Sequence, residues 1–234
     1  VYRSTDGGDR WQHMGLPDSD HIPELLVHPS KSDTVFVCAL GHLWAPGGDR
    51  GVFRTTDGGE TWENVLRIDD ATSCSDLAMT PDGSVLYAGM WQVRRYPDFF
   101  ESGGESSGLY RSTDGGDTWE ELTDGIPAGE KGRIAVTVAA SEPQRVYATS
   151  ESENIALYRS DDGGDSWVEK DDSGNVQMRP FYFGELVVDP TDPDRVYKPA
   201  FSLTLSTDGG DTFSSMFGSG VSVAIHPDQH ALWI

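Results

Sequence analysis

The sequence predicts an all-β fold: a β-propeller of four-stranded antiparallel blades. Three observations predict it. An eight-residue pattern, Ser/Thr/Asp-rich at its start and closed by an aromatic residue, occurs five times in 234 residues, always around Asp-Gly-Gly. Its central aspartates, Asp6, Asp57, Asp114, Asp162 and Asp208, lie 51, 57, 48 and 46 residues apart. The segments on either side alternate apolar with polar residues, and no stretch of useful length shows a helical period. Four short strands in a unit of about 50 residues is the period of a propeller blade, whose two faces are covered by its neighbours.

The units follow in order. Residues 1–13 supply half a blade, the run Val1-Tyr2-Arg3 leading into the first turn. Residues 21–66 make a complete blade, with strands at 24–27, 34–37, 51–54 and 62–66. Residues 73–122, 130–170 and 180–217 make three more, and 218–234 begin another. In the fourth unit, strands at 133–138 and 145–149 flank a turn containing Pro143. The fifth repeats this with strands at 185–188 and 195–197 around the turn 189–194.

Each Asp-Gly-Gly supplies residues that accept positive φ, as a tight hairpin demands. The aspartate is structural in this reading, because a short carboxylate at a turn accepts hydrogen bonds from the N–H groups that follow it. Trp11, Trp62, Trp119, Trp167 and Phe213 close the five copies and are expected to be apolar plugs. Five copies on five blades cannot converge on one site.

The charge excludes several functions. There are 17 Lys+Arg against 39 Asp+Glu, a net charge of −22, which repels a phosphate backbone and disfavours anionic lipid. No apolar run approaches the roughly 20 residues of a membrane helix. No leader opens the chain, and two cysteines are too few for a disulfide scaffold. Cys38 reads as a small core residue in a strand, and a bridge to Cys74 stays open. Of the acids 26 are Asp, and only 4 cations are Lys. Such a surface suits high salt, where screening shortens to ~3 Å at 1 M, although the turns themselves call for Asp.

The repeated pattern resembles the Asp-box, or BNR repeat, of sialidases, xyloglucanase-type glycosidases and the sortilin luminal domain. Residues 39–44, 88–95, 131–136, 179–183 and 226–234 resemble a group of secreted propellers named sortilin-like or glycosyl-hydrolase-like. The resemblance covers nearly the whole chain. It implies a secreted location, a larger ring of which this chain is a fragment, and the remaining blades as partners. The alternative closure pairs the last strands with residues 1–11 to complete five blades.

Antiparallel blades put the Asp-Gly-Gly turns and the Pro/Asp-rich turns on one face. The opposite, loop face carries the longer connections, and with them His42, Trp44, Arg50, Trp91, Arg94, Arg95, Tyr96, Arg133, Arg179 and Tyr182. Aromatic faces stack on sugar rings or peptide side chains, and Arg forks bind carboxylates. A glycan or peptide is therefore the expected partner, without nucleic acid and without membrane insertion. No cofactor is expected, except that His226, Asp228 and His230 alternate and could share a divalent metal. Their face depends on register: a first strand at 221–225 puts them on the turn face, one at 231–234 at the axis mouth of the loop face.

Sialidase chemistry fits poorly, because the nearest echo of the family's opening Arg-Ile-Pro is His21-Ile22-Pro23. Part of a glycoside hydrolase is the alternative function. A hydrolase needs two carboxyls ~5–9.5 Å apart, and Asp49, Asp98, Glu101, Glu151 and Glu185 are the loop-face candidates. No motif assigns a catalytic residue among them.

If the acidic surface is an adaptation to salt, the melting temperature rises from low to molar salt; equal melting across the series removes that reading.

Overall fold

The structure, a computed structural model, describes residues 1–153, 155–216 and 226–234. Every element is a strand, and successive sheets are built alike. β1 (Tyr2–Arg3) pairs with β2 (Gln12–His13) alone. β3 (Glu24–Val27), β4 (Val35–Leu40), β5 (Arg50–Thr55) and β6 (Glu63–Leu66) form the first four-stranded sheet in that order. β7 (Thr72–Met79), β8 (Leu86–Arg95), β10 (Gly108–Ser112) and β11 (Glu120–Glu121) form the next, and β9 (Phe100–Ser102) extends β8 as a protruding hairpin. β12 (Ile134–Val138), β13 (Val146–Ser150), β14 (Ala156–Ser160) and β15 (Val168–Glu169) follow. The last sheet is β16 (Val187–Val188), β17 (Val196–Lys198), β18 (Thr204–Ser206) and β19 (Ser214–Ser215). This is an open run of propeller blades.

The repeated turns join third to fourth strands. In each of the last four copies the Asp carboxylate accepts the N–H four residues on and the hydroxyl of that residue: Thr61, Thr118, Ser166 and Thr212. The preceding Ser or Thr hydroxyl donates to the Asp and accepts the second glycine's N–H. The first copy lacks the second hydroxyl, since Arg10 stands there, but keeps its N–H bond to Asp6 and both Ser4 hydroxyl bonds. Turn and neighbouring loop are stitched together, because Gly58, Gly163 and Gly209 donate N–H to Asp33, Gln144 and Asp194. This places both sets of turns on one face.

Blades are tied to one another by a feature the repeat did not reveal. The arginine just ahead of each turn reaches the carbonyl of the next blade's first turn glycine. Arg3 donates to Gly58 (3.1 Å), Arg54 to Gly115 (2.7 Å), Arg111 to Gly163 (2.6 Å) and Arg159 to Gly209 (3.0 Å). A Cβ on Gly58, already at φ +73°, would lie 2.0 Å from the Arg3 guanidinium. Cys38 and Cys74 are joined in a disulfide between the blades of β4 and β7.

The five plugs divide. Trp167 and Phe213 are buried, Trp62 and Trp119 are half-buried, and Trp11 is 64% exposed. Trp11 is therefore no plug: the sheet it closes has two strands, and no inner strand covers the indole. The plugs otherwise sit in clusters between sheets, such as Tyr87, Leu109, Ile134 and Tyr158 around Trp167. The register that puts a first strand at 221–225 lies outside the described residues. Closure by pairing onto residues 1–11 is not seen among the described residues, where 228–229 bond instead to Phe201 and Ala200.

Removing the blade-to-blade guanidinium by Arg111→Ala should lower unfolding free energy by about 1–3 kcal/mol, and denaturant titration measures it. The turn carboxylates add an acid limit. Hydroxyl and N–H donors hold Asp114 and Asp162 down to about 2. A folded pKa below the unfolded ~4 gives stability that is present above pH ~4 and lost as pH falls toward 2. Asp114→Ala should flatten that acid limb in a melting series, and an unchanged limb excludes the role.

Candidate functional site

The first strands of successive blades touch one another and so line the axis. At the loop-face end of these strands stands one charged residue per blade. These are Glu24 at the start of β3, Asp76 within β7, Arg133 just before β12 and Glu185 shortly before β16. A bulge at Ser75 breaks the β7–β8 register between Cys74 and Asp76. It lets the Ser75 hydroxyl donate to the carbonyls of Gly89 and Ile134 and turns Asp76 toward the next blade. The Asp76 carboxylate accepts N–H bonds from Leu77 and Val136, both at 2.9 Å.

These residues line a cavity of about 290 Å³ together with Tyr182 and His230. Burial, with the charge of Glu24 added, pushes the Asp76 carboxyl up to about 7 against the pull of the two N–H donors and Arg133. Burial also raises Glu24 and Glu185. Lys198 lies fully buried below them, donating to the carbonyls of Phe183 and Pro199, and burial with the nearby Arg133 draws it down to about 8. Three buried atoms on the cavity wall, Arg133 Nε, Glu185 Oε2 and Gln229 Oε1, have no hydrogen-bond partner among the described residues. Buried polar atoms are ordinarily satisfied, so three orphans around one cavity single it out among the described residues.

A band of rings and guanidiniums runs up to this cavity. Arg95 lies over Trp44 (5.8 Å) and Phe100 (5.4 Å). Phe100 meets Phe181 at 5.8 Å, and Tyr182 meets His230 edge-on at 4.7 Å. Arg94 lies over Tyr96, which stacks on Phe99. Trp44, Phe99, Phe181 and Tyr182 are all exposed. Their loops are braced from below, as Arg95 donates its N–H to Leu43 and Arg179, at φ +47°, offers its carbonyl to Tyr182 and Phe183.

Other expected site residues have structural work instead. Arg50 is fully buried; its guanidinium donates to the carbonyls of His42, Ala45, Gly47 and Ala71 and to the Ser73 hydroxyl. It pins the loop 41–50 to the next blade and is not a ligand contact. Trp91 is buried beneath Phe100 and Arg133 and donates to Ser102. His42 pairs with Asp18 at 2.9 Å. Among the carboxylates, Asp49 accepts the N–H of Asp18, and Glu151 accepts from Ser102 and the N–H of Arg133. Glu151 borders a second, acidic cleft of about 690 Å³ between blades. Asp98 is on the hairpin tip, exposed. Of the five, only Glu185 faces the axial cavity. The residues missed were Glu24 and Asp76; their signal is the shared column ahead of Leu-Leu-Val, Leu-Ala-Met, Ile-Ala-Val and Leu-Val-Val.

The expected metal set does not assemble. Asp228 adopts φ +80°, which breaks the alternation that would align the three side chains. His230 meets Asp228 at 3.3 Å, while His226 turns to the Pro227 carbonyl. Among the described residues no three His, Cys, Asp or Glu side chains gather as a metal requires. The register at 231–234 is matched in place only: Leu232 donates its N–H to Glu185 at the axis mouth, without forming a strand.

Comparisons with known proteins agree with this architecture. A family model for Sortilin-Vps10, described as sortilin, neurotensin receptor 3, matches residues 1–155. A probable oligoxyloglucan-reducing end-specific xyloglucanase of Neosartorya fischeri is 28% identical over 128 residues, which are 53% of this chain and 14% of that protein. The GH74 xyloglucanase of Xanthomonas campestris superposes with TM-score 0.67 at 18% identity, covering 90% of this chain and 34% of the other. An ancestral GH74 enzyme gives 0.68 at 20% identity, with 93% and 28% covered. The chain thus spans about a third or less of these relatives, and the structural likenesses speak for the fold.

The raised Asp76 carboxyl has the opposite sign to the turn aspartates. Its neutral form favours the fold below the unfolded pKa near 4, and that contribution is lost as pH rises through about 7. Infrared difference spectra should show a protonated carboxyl that disappears between about pH 6 and pH 8 and is absent from Asp76→Asn. A band lost by pH 5 overturns the assignment.

Proposed function

The chain belongs to the Sortilin-Vps10 family, and from that premise we propose that its loop face binds a glycan. Rings of the polymer stack along Trp44, Phe100, Phe181 and Tyr182, and one sugar unit enters the axial cavity. The observation that carries this reading is the convergence of the aromatic band on a cavity whose wall holds unpartnered Arg133, Glu185 and Gln229 atoms. Sugars present apolar ring faces and a rim of hydroxyls that donate and accept. They match rings beside mixed donors and acceptors better than they match either alone. An oxidising, extracytoplasmic location accords with the Cys38–Cys74 bridge.

A second reading, part of a glycoside hydrolase, rests on Asp76. A carboxyl raised to about 7 and coupled electrostatically to Glu24 offers an acid beside a second carboxyl, the division of labour glycoside hydrolysis uses. Glu185 shares the cavity and feels the same Glu24 charge.

Incubation with a polysaccharide panel separates the two. Retention without new reducing ends supports the binding module; release that vanishes in Asp76→Asn or Glu24→Gln supports the enzyme. Tyr182→Ala and Trp44→Ala should each weaken retention by about three- to tenfold. Full retention by both variants excludes the aromatic band as the binding surface.

A further inference from the structure

We infer that the glycan taken by the loop face is anionic, a polymer carrying a carboxylate on successive sugar units, recognised by Arg94, Arg95 and Arg179. The inference rests on the glycan reading above and names its substrate class. With 39 carboxylates to 17 cations, a surface guanidinium in this chain readily meets an acid. On the turn face Arg54, Arg111, Arg145 and Arg159 each form at least one ion pair, and Arg10 is the exception among the described residues. Arg94, Arg95 and Arg179 form none among the described residues, although Arg94 stands directly across β8–β9 from Glu101. Glu101 is engaged elsewhere, accepting from Gln92 and from the Tyr96 hydroxyl. Arg94 and Arg95 lie over rings instead, and Arg94 Nε is a buried donor without a partner.

An arginine laid on an aromatic face keeps its planar fork of donors for a carboxylate, while the exposed rings offer stacking surface. Two of the guanidiniums come from the end of β8 and the third from the loop that carries Phe181 and Tyr182. A peptide C-terminus brings one carboxylate and can answer one of them. A polyuronate brings one per sugar and can answer all three while its rings stack between. The net charge of −22 opposes approach at long range, but at 0.15 M salt its field is screened beyond about 8 Å, so contact is governed by the groups at the band.

The test compares polygalacturonate with its fully methyl-esterified form and with a neutral glucan, by calorimetry at 0.15 M salt in calcium-free buffer. Polygalacturonate should bind at least about tenfold more tightly than its ester, as charge-assisted pairs to carboxylates imply. Arg95→Gln, checked for an unchanged melting temperature, should reduce that ratio about tenfold, and Lys31→Gln on the turn face should leave it unchanged. Equal binding of all three polymers overturns the anionic preference and leaves the glycan reading standing. Binding of no polymer, or binding only of a peptide with a free C-terminus, overturns both.

Discussion

The carbonyl of the first turn glycine is the acceptor on which the blade-to-blade geometry depends. It is offered sideways because the glycine sits at positive φ, and at Gly58 and Gly209 the preceding blade's arginine fits against it because no Cβ intervenes. The same guanidiniums gather acids, Arg54 taking Glu63 and Asp117, Arg111 taking Glu120 and Asp165. One bond type repeated four times thus sets the separation of successive sheets. It also absorbs part of the acidity of the turn face, where carboxylates would otherwise repel one another. The fifth unit departs from the series, with the half-buried Leu205 in the arginine's place.

Fastening the blades at one end frees the other. On the loop face the strands end in connections of different length, and neighbouring blades supply different side chains to a shared place. The axial column carries this furthest. Four equivalent positions hold Glu24, Asp76, Arg133 and Glu185, so a repeat that gives the same backbone at each blade gives an unequal charge at each. Burial works against all four. Only Arg133 compensates among them, which is why the carboxyls move up rather than down.

Much of the fold was legible in the sequence because its signals are local. The turn glycines, the hydroxyl two residues before each aspartate and the period-2 runs are all contained within a few residues, and every strand predicted in the second and fourth blades exists. The site was legible only in part. Trp44, Arg94, Arg95, Tyr96, Arg179 and Tyr182 lie on the loop face where their connections place them, but Arg50 and Trp91 turned inward. Sequence near Arg50 is rich in glycine and reads as solvated loop; nothing local says that five acceptors converge beneath it. Asp76 was hidden by its bulge, which removes it from the alternation of β7. The three expected metal ligands do not gather among the described residues for a similar reason, one residue at positive φ undoing the alternation. The arginine series was visible as a column, but its acceptor lies 50 to 61 residues away, and only the stacking of blades brings the two together.

The division between faces also bears on how such a molecule tolerates its charge. The Asp57, Asp114, Asp162 and Asp208 carboxylates of the turn face each have hydroxyl and N–H donors beside them, so their ionised forms are favoured. A carboxylate at the axis has few donors and many apolar neighbours, so ionisation is opposed. The protein therefore concentrates stable negative charge at one end and keeps groups near neutrality, Asp76 and Lys198 among them, at the other. The loop face thus presents guanidiniums laid on rings and, at the axis, carboxyls that resist charging, although the chain as a whole is strongly acidic.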